Sequence, residues 1–229
     1  MSAIQQALIS YKILPSSLLT WLRAYYTFNS NSNDTLATYN WTDNNTPTYT
    51  SWKISNALTL SSGSSQYVSL PNGVMPWGTN TYSVNMWVKL TSISWNQSFL
   101  MTARTGQWIL FYLSWSLVDH AKPNVVSNTY TWWAADTNWH MWTFVWDGSW
   151  MRTYLDWNTT PVASNANTAN IVAPSTDTIE IWWYRSWWTI QSWWYMWGQI
   201  DEVWIWNKAL TTTEITALYN WSSWKTYPF

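Results

Sequence analysis

The sequence predicts an all-β protein: one domain built from two packed antiparallel sheets. Three observations predict it. Over short runs apolar residues alternate with polar ones at period two, as in half-buried strands. Ser-, Thr- and Asn-rich turns separate those runs, with no helical stretches between them, which favours an antiparallel sandwich over a βαβ fold. The chain has 229 residues, near the upper size of a single all-β domain and enough for a sizeable core.

The elements follow in order. Residues 1–20 form a weak amphipathic stretch, Ile4-Gln5-Gln6-Ala7-Leu8-Ile9, broken by Pro15. It lacks a clear basic start and a small-residue cleavage site, so it does not read as a signal peptide. It reads as an arm or connector, with a disordered terminus as the alternative. The domain spans 21–221. Residues 22–28 are an aromatic-rich strand, followed by a polar loop through Asn31, Asn33 and Asp34. Strands at 57–60 and 66–70 flank a Ser-Ser-Gly-Ser turn. The run 82–88 alternates cleanly, and 99–101, 109–113 and 140–146 continue the series. Residues 152–155 pair back on 140–146 across Asp147-Gly148, a tight-turn dipeptide. Strands at 179–181 and 200–206 follow. One helix is predicted near the end. Thr211 to Glu214 reads as a capping box, and Ile215, Leu218 and Tyr219 share one helical face. Residues 222–229 are a tail.

Composition removes several function classes. Only 9% of residues are charged and the formal charge is −1, so no basic surface exists for nucleic acid. No apolar run approaches the length of a membrane-spanning helix. Cysteine is absent, which excludes disulfides, thiolate catalysis and cysteine-bound metals.

Tryptophan is abnormal: 26 Trp against 6 Gly. Trp41, Trp95, Trp150, Trp157 and Trp221 stand in turn-like contexts. Doublets recur at Trp132-Trp133, Trp182-Trp183, Trp187-Trp188 and Trp193-Trp194. Tight turns want positive φ, which a β-carbon penalises. We therefore expect a gene that uses UGA for glycine and has been read as tryptophan. Restoring roughly 20 glycines would bring both residues to ordinary usage. Asn220-Trp221 would then be a plain helix stop. The alternative is a genuine tryptophan-rich binding surface.

Four stretches in order resemble the LamG-like jelly rolls of the concanavalin A-like lectin/glucanase superfamily. They are Ala24-Tyr25-Tyr26-Thr27-Phe28-Asn29; Tyr82-Ser83-Val84-Asn85-Met86-Trp87-Val88-Lys89; Asn138-Trp139-His140 through Asp147-Gly148 to Tyr154-Leu155-Asp156-Trp157; and Gly198-Gln199-Ile200-Asp201-Glu202-Val203 through Leu210 to Tyr219. Trp157 stands where the family pattern has glycine, whereas Trp87 and Trp139 match family tryptophans and are expected to be genuine. The resemblance covers about residues 22–221. It implies a two-sheet antiparallel jelly-roll sandwich with a concave face and a ligand-binding or adhesive role. Many such domains belong to secreted bacterial proteins or phage tails, so the expected location is extracellular or virion-associated. It also implies a structural Ca2+ where the first and last strands meet, with Asn29 and Asp201 as candidate ligands. Asn29 replaces an Asp usual in relatives, which removes a charge from a site that wants hard oxygen donors.

Enzymatic chemistry finds little support. Glycoside hydrolysis needs two carboxylates facing one cleft. The chain has only Glu180, Glu202 and Glu214, and the Glu-x-Asp-x-x-Glu strand of the glucanases is missing. Asp201 and Glu202 are neighbours on a strand and are expected on opposite faces, while Glu214 is expected as a cap. His120 and His140 read as turn and strand residues, and no nucleophile elbow is written. Sugar binding would use aromatic stacking with polar side chains for hydroxyls. Tyr112, Tyr184 and Arg185 are the candidates, although each also suits core or ordinary surface. The expected function is a non-catalytic module binding a surface glycan or polysaccharide. The alternatives are a structural tail or virion module contacting proteins, with residues 1–20 as its attachment, and a degenerate hydrolase.

Overall fold

The computed structural model describes residues 16–52, 55–71, 73–76, 81–93, 97–104, 107–114, 117–121, 128–130, 136–166, 179–181, 184–186, 189–191 and 195–224. The strands are β1 (Leu22–Tyr26), β2 (Thr42–Asn44), β3 (Thr48–Ser51), β4 (Asn56–Leu60), β5 (Tyr67–Leu70), β6 (Tyr82–Leu90), β7 (Gln97–Arg104), β8 (Gln107–Ser114), β9 (Leu117–Ala121), β10 (Asn128–Tyr130), β11 (Trp139–Trp146), β12 (Trp150–Leu155), β13 (Ala163–Ala166), β14 (Ile179–Ile181), β15 (Tyr184–Ser186), β16 (Thr189–Gln191) and β17 (Gly198–Trp206). Helices α1 (Ser16–Thr20) and α2 (Thr212–Trp224) flank them.

The strands form two main antiparallel sheets, as the alternation predicts. One has the order β13-β12-β11-β6-β17-β4-β3, with β1 also paired to β17; the other has the order β10-β9-β8-β7-β14-β5-β2. The core lies between them. Val68 and Leu70 from the second sheet join Leu58, Val84, Phe144 and Ile205 from the first in one buried cluster. At roughly 1.5–3 kcal/mol for each fully buried large apolar side chain, this cluster is the main force joining the sheets.

The first sheet is also covered on its outer face. Trp204, Trp206, Met141 and Val145 point away from the core and are buried beneath Leu18 and Leu19 of α1 and Ile215 and Leu218 of α2. Trp206 Nε1 donates to Leu18 O at 2.8 Å, so residues 16–20 of the predicted arm dock on the domain. The capping box is present. Glu214 N donates to Thr211 Oγ1 at 3.3 Å and Thr211 N to Glu214 Oε2 at 3.0 Å. Glu214 also accepts from Lys208 Nζ at 2.7 Å and Ser17 Oγ at 2.6 Å. α2 does not stop at Asn220-Trp221 but runs on to Trp224.

The tryptophans in predicted turns differ among themselves. Trp150 and Trp157 are exposed, at 43% and 62%. Trp41 belongs to the core, with its ring centroid 3.8 Å from that of Tyr26. Among the described residues no tryptophan has positive φ. The left-handed conformations fall on neighbours, at Gly148 (+96°) beside Trp150 and Asp156 (+53°) before Trp157. Short polar residues tolerate that region better than an indole does, so these turns meet the steric demand one or two residues away. Trp95 and the four doublets lie outside the described residues.

Candidate functional site

Both helices and the second apolar cluster lie against the first sheet. The second sheet turns Val68 and Leu70 to the core, and among the described residues no helix packs on its other face. Register shows which residues occupy that free face. Val68 and Leu70 face the core, and Ile181 and Ile179 stand opposite them. Glu180, between the two isoleucines, therefore falls on the free face. Opposite Glu180 is Met101, opposite Met101 is Leu110, and two residues along β8 is Tyr112. Tyr112 stands opposite Asp119, which stands opposite Thr129, while Ser98 flanks Tyr112 from β7. Ser98, Tyr112, Asp119 and Thr129 thus form a transverse row over four strands, about 14 Å from end to end at the usual strand spacing.

The three expected ligand residues gather around β7. Tyr112 is on β8, its hydrogen-bonded neighbour. Tyr184 and Arg185 are on β15, which pairs with β16 and borders β7. Asp119 was not among the sequence candidates. Its signal was available, since Leu117-Val118-Asp119-His120-Ala121 puts a charge at one alternating position, but the register to Tyr112 was not.

The expected metal residues lie on two neighbouring chain segments, since β1, which leads to Asn29, pairs with β17, which carries Asp201. Asn29 follows β1, and its carbonyl accepts Asn56 Nδ2 at 2.6 Å. Asp201 lies on β17, 1% exposed, and its Oδ1 accepts the Glu202 N–H at 2.9 Å. Asp201 Oδ2 is buried without a hydrogen-bond partner. Alternation would put Glu202 on the opposite face, and the structure corrects that expectation. A bulge lies between Asp201 and Trp204, with Glu202 at φ +50°. Ile200 and Val203 both face the core, so one extra residue is taken up between them. Asp201 pairs with Trp87 on the outer face, and Glu202 accepts a hydrogen bond there from the Tyr25 hydroxyl. The two carboxylates therefore share a side. Burial pushes Glu202 up to about 8 and Asp201 well above the usual carboxylate range, the latter also through the neighbouring Glu202 charge. A hard cation would relieve both charges and engage the orphaned oxygen. Asp201 and Glu202 supply carboxylate oxygens of the kind that calcium takes. Among the described residues no group of three or more His, Asp or Glu side chains is arranged to hold a metal ion.

His140 lies between two carboxylates, with Nδ1 2.9 Å from Asp156 Oδ2 and Nε2 3.1 Å from Asp136 Oδ1. The hydrogen bond with Asp156 raises its pKa. Burial opposes this, and the two carboxylate charges add to it. Asp156 Oδ1 also accepts the Met141 N–H at 2.9 Å. This cluster ties the ends of β11 and β12 together, the structural role expected for His140. His120 is on β9, opposite Phe111 and Asn128.

A sequence family described as the concanavalin A-like lectin/glucanases superfamily matches residues 62–216, more than half of the chain. Compared by sequence with curated proteins, the chain has no match. Among solved structures it is similar to domain 4 of AbnA, a GH43 extracellular arabinanase from Geobacillus stearothermophilus, in complex with arabinotriose. The TM-score is 0.71 at 20% identity, over 87% of this chain and 98% of that one. It is also similar to the binding domain of Paraclostridial Mosquitocidal Protein 1, with TM-score 0.69 at 12% identity, over 89% and 52%. A third is the botulinum neurotoxin serotype D ligand binding domain in complex with N-acetylneuraminic acid, with TM-score 0.66 at 14% identity, over 90% and 52%. The chain thus spans about half the length of those two toxin domains.

Proposed function

The chain belongs to the concanavalin A-like lectin/glucanase superfamily, and on that premise we propose that it is a non-catalytic module binding a surface glycan or polysaccharide on the free face of the second sheet. The observation that carries this reading is the polar and aromatic row Ser98–Tyr112–Asp119–Thr129 on a sheet face that no described helix covers. An aromatic position flanked by hydroxyl and carboxylate positions is the composition that sugar recognition uses, with stacking for the ring and polar groups for its hydroxyls. Structural neighbours in complex with arabinotriose and with N-acetylneuraminic acid support it. Tyr184 and Arg185, on the strand that borders β7, are further candidate contacts. A non-catalytic role agrees with the missing glucanase motif and with burial of Asp201 and Glu202, at 1% and 2% exposed, beyond contact with a polysaccharide.

A glycan array followed by titration calorimetry tests this. Saturable binding that weakens about tenfold or more in Tyr112→Ala and Asp119→Asn supports the reading, since charge-assisted hydrogen bonds lost on binding are worth roughly that much. A folded protein that binds no glycan overturns it and favours the alternative, a structural tail or virion module contacting proteins through residues 1–20. Either role places the module outside the cell or on a virion. A Ca2+ ion, held by Asp201 with Glu202, would serve stability in this scheme. Its presence predicts that chelation lowers the melting temperature and that Asp201→Asn abolishes the difference. A chelator-insensitive melting temperature would leave the pair as a proton-sharing one.

A further inference from the structure

The first sheet carries a second surface of similar composition, on the opposite side of the sandwich from Tyr112. At one end of its outer face, cross-strand register aligns Thr59 on β4, Gln199 on β17, Lys89 on β6 and Trp139 on β11. All four lie opposite core-facing neighbours such as Leu58, Ile200 and Val88. The row is organised by its own contacts. Gln199 Nε2 donates to Thr50 Oγ1 at 2.8 Å and Thr59 Oγ1 at 3.3 Å, and the two threonine hydroxyls are 2.5 Å apart. The Trp52 ring lies 4.3 Å from that of Trp139, tilted by 36°. Gly198 draws β17 tightly against β6, since a β-carbon there would fall 2.2 Å from Lys89 O. Thr50 is exposed, and Thr59, Gln199, Lys89, Trp52 and Trp139 are half-buried. Trp52 and Trp139 lie at the margin of the cluster beneath the helices, partly buried against it.

Lys89 is the only charged side chain at these positions, and among the described residues it makes no ion pair. An aromatic pair, an ordered amide and hydroxyl group, and one uncompensated ammonium suit a ligand with a ring face, several hydroxyls and one negative charge. We propose that this row is a second binding site, for a carboxylate-bearing sugar such as a uronic or sialic acid residue. The carboxylate meets Lys89, the ring lies against Trp139 and Trp52, and the hydroxyls meet Gln199 and Thr50. The site is independent of the one on the second sheet, so the two faces allow one domain to engage a polysaccharide at two points.

The test is an array of uronic- and sialic-acid-terminated glycans beside their neutral counterparts, with affinities then measured for the unmodified chain and for Lys89→Gln, Gln199→Ala and Asp119→Asn. The expected result is a preference for acidic glycans that falls about tenfold in Lys89→Gln and falls in Gln199→Ala, with melting temperatures unchanged. Asp119→Asn should leave that preference intact. Acidic-glycan binding that survives Lys89→Gln but fails in Asp119→Asn overturns this site and retains the one on the second sheet. Binding of neutral glycans alone, or no glycan binding by a folded chain, overturns it as well. If a variant loses its cooperative melt, chemical-shift mapping of the acidic glycan on the unmodified chain decides. Perturbations must centre on Lys89 and Gln199.

Discussion

His140 shows how one side chain reports on the hairpin that holds it. Both of its ring nitrogens face carboxylates, Asp156 at 2.9 Å and Asp136 at 3.1 Å. Its pKa is raised above the ordinary value of about 6.5. A raised folded-state pKa means that the folded chain holds this proton more tightly than the unfolded one. The stabilisation is fully present below the unfolded value and is lost as pH rises through the folded one. The melting temperature should therefore fall as pH rises above about 6.5, and His140→Gln should flatten that fall. Identical profiles for the two proteins would mean that folding does not shift the titration of the imidazole. Asp136 moves the other way. Burial opposes its ionisation, but hydrogen bonds from Asn138 and the His140 charge bring it below the usual range. Its contribution is present above the unfolded value and is lost as pH falls through the folded one.

At the scale of elements, alternation made most strands of both sheets legible. The capping box made α2 legible because its signal is local: Thr211, Glu214 and a helical apolar stripe. Thr211→Ala should cost about 1 kcal/mol in thermal or denaturant unfolding, and no change would mean that Lys208 and Ser17 alone hold Glu214. The bulge in β17 was not legible. A single inserted residue leaves the composition of Asp201-Glu202-Val203 unchanged, and only pairing with β6 reveals it. That one residue reversed the expected facing of Glu202. The short strands β2 and β3, inside a stretch that reads as polar loop, were hidden for a related reason. They are edge strands with exposed side chains, so no buried face imposes a pattern on them. The row at Lys89 was hidden because Thr59, Gln199, Lys89 and Trp139 come from four strands, and only the register joins them.

For the whole molecule, the tryptophan excess divides by location. If UGA encodes glycine in this gene, glycine restoration should be tolerated where an indole does no structural work and resisted where it fills the core. Trp150 and Trp157 are exposed, beside turns whose positive φ is carried by Gly148 and Asp156. Trp41 packs on Tyr26 and Phe28 inside the main cluster. We expect Trp150→Gly and Trp157→Gly to change stability by less than about 1 kcal/mol, the usual range for surface positions. Trp41→Gly should cost about 3 kcal/mol or more, as deletion of a buried aromatic does. The codons make an independent prediction: UGA at Trp150 and Trp157, and UGG at Trp41, Trp87 and Trp139. Folding leaves a margin of only about 5–15 kcal/mol, so a chain read with the wrong code can tolerate many exposed indoles but few misplaced buried ones. UGG at all 26 tryptophans would end the recoding explanation. The exposed rings at Trp150 and Trp157 would then be genuine aromatic surface, available to the same sugar chemistry as Trp139 and Trp52.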